Sequence, residues 1–174
     1  MNAVIENMKT RRSVRKFKAD QVPAELVDQV IEAGMFAASG HDRQPWVVIA
    51  VTNAEVRRRL SEANASFFDG SVKDPFYGAP VVLIVLSNRR TPTYLYDGSL
   101  VLGNMMLAAH SLGLASCWIH RAKQEFETPE WQEWLASLGV TGDYEGIGHL
   151  ALGYPDGQLP DARPRKAGRI FHVD

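Results

Sequence analysis

Apolar residues recur along the chain at two spacings, and the spacing predicts the elements. Val4, Ile5 and Met8 stand at helical intervals in a short helix over 2–9. A second helix opens near Pro23, which suits a first helical position, and puts Leu26, Val27, Val30, Ile31 and Gly34 on one face. Continuous apolar runs over 47–52, 81–86, 115–120 and 147–154 read as strands, the first of them buried on both faces. Thr52 and Glu55 form a capping box for a helix running through Leu60. The longest helix covers 94–112, with Gly98, Ser99, Gly103, Ala108 and Ala109 small enough for close packing. Thr128-Pro129-Glu130 supplies a cap, a first-turn proline and an acid for another helix. Residues 64–78 combine turn formers and aromatics without a period, a candidate loop over a site. A proline-containing tail follows Pro155.

Strands alternating with helices give an α/β or α+β layered domain, and alternation alone leans toward a parallel sheet. No internal repeat, low-complexity tract or linker divides the chain, so a single unit over 1–174 is expected. With 45% hydrophobic and 22% charged residues, the 174-residue chain has the composition of a globular domain rather than a disordered one. The one cysteine, Cys117, excludes a disulfide framework and fits a reducing compartment or indifference to redox state. The longest apolar run, 80–86, is far short of the ~20 residues that cross a bilayer, and the polar N-terminus lacks a signal-peptide core. A cytoplasmic protein without a membrane partner is expected.

A formal charge of −1 argues against a general polyanion binder, yet the charge is unevenly spread. Lys9, Arg11, Arg12, Arg15, Lys16 and Lys18 lie within ten positions that contain no acid. Arg163, Arg165, Lys166 and Arg169 cluster near the other end, so ten of nineteen bases occupy the two termini. Such a run is often only a solvated face. Thr10 and Ser13, however, add hydroxyls beside the guanidiniums, a mixture that holds phosphate, and termini often meet in a compact domain. A nucleic-acid binder is the rival, but it calls for a broad basic stripe, whereas these clusters are compact.

The remaining motifs are weak. Gly146-Ile-Gly148-His-Leu-Ala151 matches a dinucleotide fingerprint in letters but leads into a strand instead of opening a helix. The five histidines show no metal-ligand spacing, and no metal is expected; His110, among apolar neighbours, reads as a core histidine. Cys117, beside Trp118 in a strand, reads as a small buried hydrophobe rather than a nucleophile. The segment Ser39-Gly-His-Asp-Arg-Gln-Pro-Trp46 offers polar side chains and a free backbone; it is either a plain connection or part of a site.

Four segments in order carry a resemblance over nearly the whole chain. They are Arg11-Arg12-Ser13-Val14-Arg15-Lys16-Phe17, the Ser39-Gly40-x-x-x-Gln44-Pro45-Trp46 loop, Gly113-Leu114-Ala115-Ser116-Cys117-Trp118-Ile119 and Leu152-Gly153-Tyr154-Pro155. With the arginine-rich tail, the chain resembles the FMN-dependent nitroreductase family, its short bacterial members in particular. The resemblance implies an α+β sandwich, a central and mostly antiparallel sheet flanked by helices, and an intertwined homodimer with FMN at the interface. It implies that Arg11, Ser13, Arg163 and Arg165 hold the FMN phosphate, that Arg12 adds backbone and ribityl contacts, and that Arg15 lies near flavin N1 and the C2 carbonyl. A fixed guanidinium there stabilises the negative charge of a reduced flavin.

Ser39, Gly40, Asp42, Gln44 and Pro45 are expected from the partner subunit. The strand end Trp118, Ile119, His120 and Arg121 is expected to offer a backbone N–H to flavin N5, with His120 a candidate proton donor. Asp42 stands where many relatives have asparagine, so it needs a partner, with Arg43 the candidate; Ala115-Ser116 replaces a common glycine-serine pair. The implied activity is ping-pong transfer of hydride from NADH or NADPH, by way of FMN, to a small-molecule acceptor such as a nitroaromatic or quinone. Ene reduction, dehalogenation and a non-catalytic flavin-binding or sensing module are the alternatives.

Overall fold

The four apolar runs hydrogen-bond into one sheet in a computed structural model that describes residues 2–174; Met1 of the expected 1–174 unit lies outside the described residues. The strands are β1 (Trp46–Val51), β2 (Val81–Asn88), β3 (Ala115–Ile119) and β4 (Tyr144–Gly153), in the order β1-β2-β4-β3. Every neighbouring pair is antiparallel, which overturns the parallel leaning drawn from alternation and agrees with the antiparallel sheet implied by the resemblance. The connections carry helices: those from β1 to β2 and from β3 to β4 reverse the chain, whereas α4 brings it from β2 to β3 in the same direction, with β4 inserted antiparallel between them. Residue spacing does not encode that choice.

Helices cover both faces, making an α+β sandwich. On one side α2 (Ala24–Met35) and α4 (Tyr94–Ser111) pack Val27, Val30, Val101, Leu102 and Met105 against Leu83, Val85, Leu150 and Leu152. On the other, α3 (Ala54–Ala65), α5 (Ala122–Phe126) and α6 (Pro129–Ser137) pack Leu60, Phe126, Trp131 and Leu135 against Val82, Ile84, Leu86 and Ala151. The alternating residues of β2 thus feed two separate cores, which is why its apolar run is continuous. Helix α1 (Ala3–Thr10) lies against α4, joined by a bond from Asn7 Nδ2 to the Leu107 carbonyl at 2.9 Å.

Several local expectations change. β1 is an edge strand, not a doubly buried one: Val47, Val48 and Ile49 are half-buried and Ala50 is exposed. The cap of α3 is Asn53, one residue after Thr52; its side chain accepts from the Glu55 and Val56 N–H groups, both at 3.0 Å. α3 extends to Ala65, so Asn64 belongs to the helix. The five-residue α5 was not foreseen, because it follows a left-handed residue, Arg121, and is too short to show a period.

The glycine motif in β4 has a packing explanation. A Cβ at Gly146 would collide with the Ala122 carbonyl, and one at Gly148 with the Trp118 indole. A bulge at this point pairs Leu86 with Gly146 and Val85 with Gly148, leaving Ile147 as the extra residue. Ile147 then packs on Gly98 of α4, where a Cβ would lie 2.6 Å from its Cγ1.

The loop between α3 and β2 is held by one carboxylate. Asp74 accepts from Ser61 Oγ at 2.6 Å, the Gly78 N–H at 2.8 Å and the Phe76 N–H at 3.0 Å, with Arg57 at 3.5 Å. Partial burial alone would raise the Asp74 pKa, but these donors and the arginine together hold it below the usual carboxylate value. The depressed group stabilises the fold fully above its unfolded pKa of about 3.9, and that contribution is lost as pH falls through the lower folded value. Asp74→Asn should therefore be less stable than the wild type at pH 7, with the difference shrinking as pH is taken toward 2 in urea melts. Gly98→Ala should cost about 1–3 kcal/mol in the same melts through overpacking against Ile147, with an unchanged denaturant slope.

Candidate functional site

The basic N-terminal segment is tied to the sheet by its backbone. Ser13 forms a parallel bridge with Ser116, and the Val14 N–H donates to the Ser116 carbonyl at 3.0 Å. Further on, the Lys18 N–H donates to the Tyr154 carbonyl and the Asp156 N–H to the Lys16 carbonyl, both at 3.0 Å. Val14 and Phe17 turn inward and are buried, which leaves Arg11, Arg12 and Ser13 half-buried and Arg15 exposed.

The tail then returns past the same segment. Arg11, Arg12, Arg163 and Arg165 together line a cavity of about 540 Å³, with Met8 and Lys9 at its α1 side. A second cavity of about 330 Å³ shares the four arginines and adds Ser13, Pro160 and Asp161. The two terminal clusters therefore converge, as expected of termini that meet in a compact domain.

Their electrostatics are those of an anion site. Arg12 Nη1 donates to the Lys9 and Arg11 carbonyls, both at 2.7 Å, while Arg12 Nε and Arg11 Nη1 are buried without a hydrogen-bond partner. Burial, then the adjacent Arg12 charge, pushes the Arg11 guanidinium below its ordinary pKa. An acceptor with several oxygens and negative charge would satisfy these N–H groups and offset the repulsion, so the residues present fit a phosphate. The same two arginines, after burial itself, push the His110 pKa down. His110 is half-buried on α4, sharing a 2.9 Å hydrogen bond with Thr10 Oγ1, and is not the core residue expected.

A smaller cavity of about 140 Å³ lies at the end of β3. Arg15, Cys117, Trp118, Ile119 and His120 line one side, and Phe68, Val72, Pro75 and Tyr77 of the 66–80 loop line the other. Arg15 is thus brought beside the strand end, and the aperiodic loop covers a cavity there. Arg121 follows in a left-handed conformation at φ 82°, its guanidinium 5.6 Å from the Phe68 ring centroid. Cys117 is buried and free, and burial pushes its thiol pKa up although Arg15 and Arg11 pull the other way. A protonated buried thiol is no nucleophile.

Ser39, Gly40, Asp42, Gln44 and Pro45 line none of these three cavities. Their loop carries three left-handed non-glycine residues, His41, Asp42 and Gln44, at φ 55°, 53° and 45°. It is strapped down by buried Asp97, which accepts from the Gly40 N–H at 3.1 Å and from Thr93 Oγ1 at 2.7 Å. Ser39 Oγ accepts from the Gln44 N–H at 3.1 Å. Left-handed backbone at three non-glycine residues persists only where such contacts over-determine it. Asp42 takes its hydrogen bond from Gln44 Nε2 at 2.8 Å, and among the described residues it forms no ion pair with Arg43. Asp97, Asn64, Glu125 and His149 were missed: each matters through a partner distant in sequence, and no local pattern marks such pairs.

The profile of the nitroreductase family matches residues 8–154. An NADH dehydrogenase/NAD(P)H nitroreductase from Methanothermobacter thermautotrophicus is 40% identical over 119 residues, which cover 66% of this chain and 59% of that relative's length. A nitroreductase from Bacteroides fragilis solved with bound FMN superposes with a TM-score of 0.88 at 35% identity, covering 100% of both chains. One from Desulfitobacterium hafniense, also with bound FMN, gives a TM-score of 0.88 at 27% identity over 100% of both chains. With its α+β sandwich, converged arginines and roofed strand end, the chain belongs to the nitroreductase family.

Proposed function

We propose that this chain is an FMN-dependent oxidoreductase that takes electrons from NADH or NADPH and reduces small organic acceptors, nitroaromatics or quinones, in a ping-pong cycle. The observation that carries the reading is the pair of buried, unpartnered guanidinium nitrogens of Arg11 and Arg12, converging with Ser13, Arg163 and Arg165. The FMN bound by two full-length structural neighbours and the NAD(P)H chemistry in the name of the archaeal relative support it.

When bound, FMN supplies the two-electron chemistry, taking hydride from the nicotinamide and passing it to the acceptor. The chain's own residues then have three tasks. Arg11, Ser13, Arg163 and Arg165 hold the phosphate, with Arg12 beside the ribityl chain. Arg15 holds positive charge where the ring gathers electrons, in a cavity walled by Phe68, Val72 and Pro75 that limits water. The strand end Trp118 to Arg121 presents backbone N–H groups to the ring edge, with the exposed His120 side chain positioned to deliver a proton.

The second set, Ser39, Gly40, Asp42, Gln44 and Pro45, serves the site of a partner subunit in a homodimer. Large exposed apolar residues support that assembly: Val4, Ile5 and Met8 on α1, Phe36 after α2, and Ile170, Phe171 and Val173 in the tail. Such an apolar surface is best covered by a second copy.

The purified protein should be yellow, or become so with added FMN, and should oxidise NADH or NADPH; a colourless chain inert on both counts contradicts the function. Arg11→Ala and Arg165→Ala should each weaken FMN retention about tenfold or more, whereas Lys18→Ala should leave it within about twofold. Equal losses would refute the phosphate assignment. Arg15→Ala should retain FMN but lower its midpoint potential, as read by dye equilibration, and an unchanged potential would exclude charge stabilisation by Arg15.

A further inference from the structure

A buried polar cluster lies behind the strand end. His149 on β4 pairs in register with Ile119 on β3 and is fully buried, its ring centroid 5.2 Å from that of Phe76 and 5.9 Å from that of Phe126. Its Nε2 is 3.1 Å from Oε2 of Glu125, also fully buried. That oxygen accepts a hydrogen bond from Asn64 Nδ2 at 3.2 Å, and the same Nδ2 donates to the His120 carbonyl at 3.0 Å. Both neighbours of the Asn64 amide group are acceptors, so its NH2 must face them; Asn64 Oδ1 is left without a partner.

The bond to His120 falls at a particular place. Arg121, the next residue, is a non-glycine residue at φ 82°, a conformation that costs of order 1 kcal/mol and persists only where its surroundings over-determine it. We infer that Asn64 is a positioning residue: its carboxamide, oriented by the Glu125–His149 pair, pins the His120 carbonyl and so fixes the backbone of residues 118–121. The functional end of this inference rests on the proposed function, in which that segment faces the flavin. Asn64 itself touches neither flavin nor substrate.

Asn64→Leu tests the inference, because leucine keeps the shape of the side chain while removing both N–H donors and the orphaned oxygen. Two readouts are needed. In the flavin-free chain, amide hydrogen exchange of residues 119–122 should speed up about tenfold while that of β2 is unchanged. In the FMN-loaded protein, reduction by NADH in stopped flow should slow about tenfold while the FMN dissociation constant stays within about twofold. Asn64→Ser, too short to reach both acceptors, should behave alike and replaces the leucine variant if that one does not fold. Unchanged exchange overturns the anchor. Faster exchange with an unchanged reduction rate overturns the positioning role and leaves Asn64 purely structural. A wild-type chain that takes up no FMN overturns the proposed function, and the flavin-facing role with it, while the exchange readout still reports separately on the anchor.

Discussion

Guanidinium N–H groups buried without an acceptor are costly, and two arginines side by side repel each other as well. Arg11 and Arg12 pay both penalties, with Nη1 of one and Nε of the other unpartnered. Arg163 and Arg165 add two further positive charges to the same cavity walls. Backbone hydrogen bonds fix the N-terminal segment, from the Val14 N–H to Ser116 on β3 and from the Lys18 N–H to Tyr154 just past β4, and the start of the tail is tied to it by the Asp156 N–H to Lys16 bond and a Lys16–Asp156 ion pair at 2.6 Å. A fold that holds like charges together against their repulsion is prepared for an anion.

The rest of the site follows from the same lashing. Binding residues 13–18 along the β3 side of the sheet sets Arg15 beside the strand end, under the loop that Asp74 holds in place. The arginine cluster and the strand-end cavity are then two ends of one continuous segment, spaced by residues 11–15. Beneath the strand end, the tight approach of α5 to Gly146 and of Trp118 to Gly148 leaves the chain little freedom where it leaves β3. The Asn64 amide adds a polar tie at the point where the backbone turns left-handed.

Much of this was legible from residues alone. The apolar runs marked four strands because buried strands need them, and the two clusters of bases marked the ends of the chain that converge on shared cavities. Strand direction was not legible, since helical connections serve parallel and antiparallel sheets alike. The cap on α3 slipped by one residue because Thr52 and Asn53 are both capping residues and only geometry selects between them. The letters of Gly146-Ile-Gly148 reflect the close approach of Ala122 and Trp118, not a nucleotide. The Glu125–His149 pair was invisible because its members lie on α5 and β4, and only the sheet register and the packing of α5 bring them together.

If the arginine cluster is built for the phosphate of FMN, the ring alone should bind poorly. The most direct test is calorimetric titration of the flavin-free protein with FMN and with riboflavin, which differ by that phosphate. Two or more charge-assisted hydrogen bonds at about 1.5–3 kcal/mol each predict that FMN binds at least about a hundredfold more tightly, with the margin shrinking as salt is added. Equal affinities for the two flavins would contradict the account.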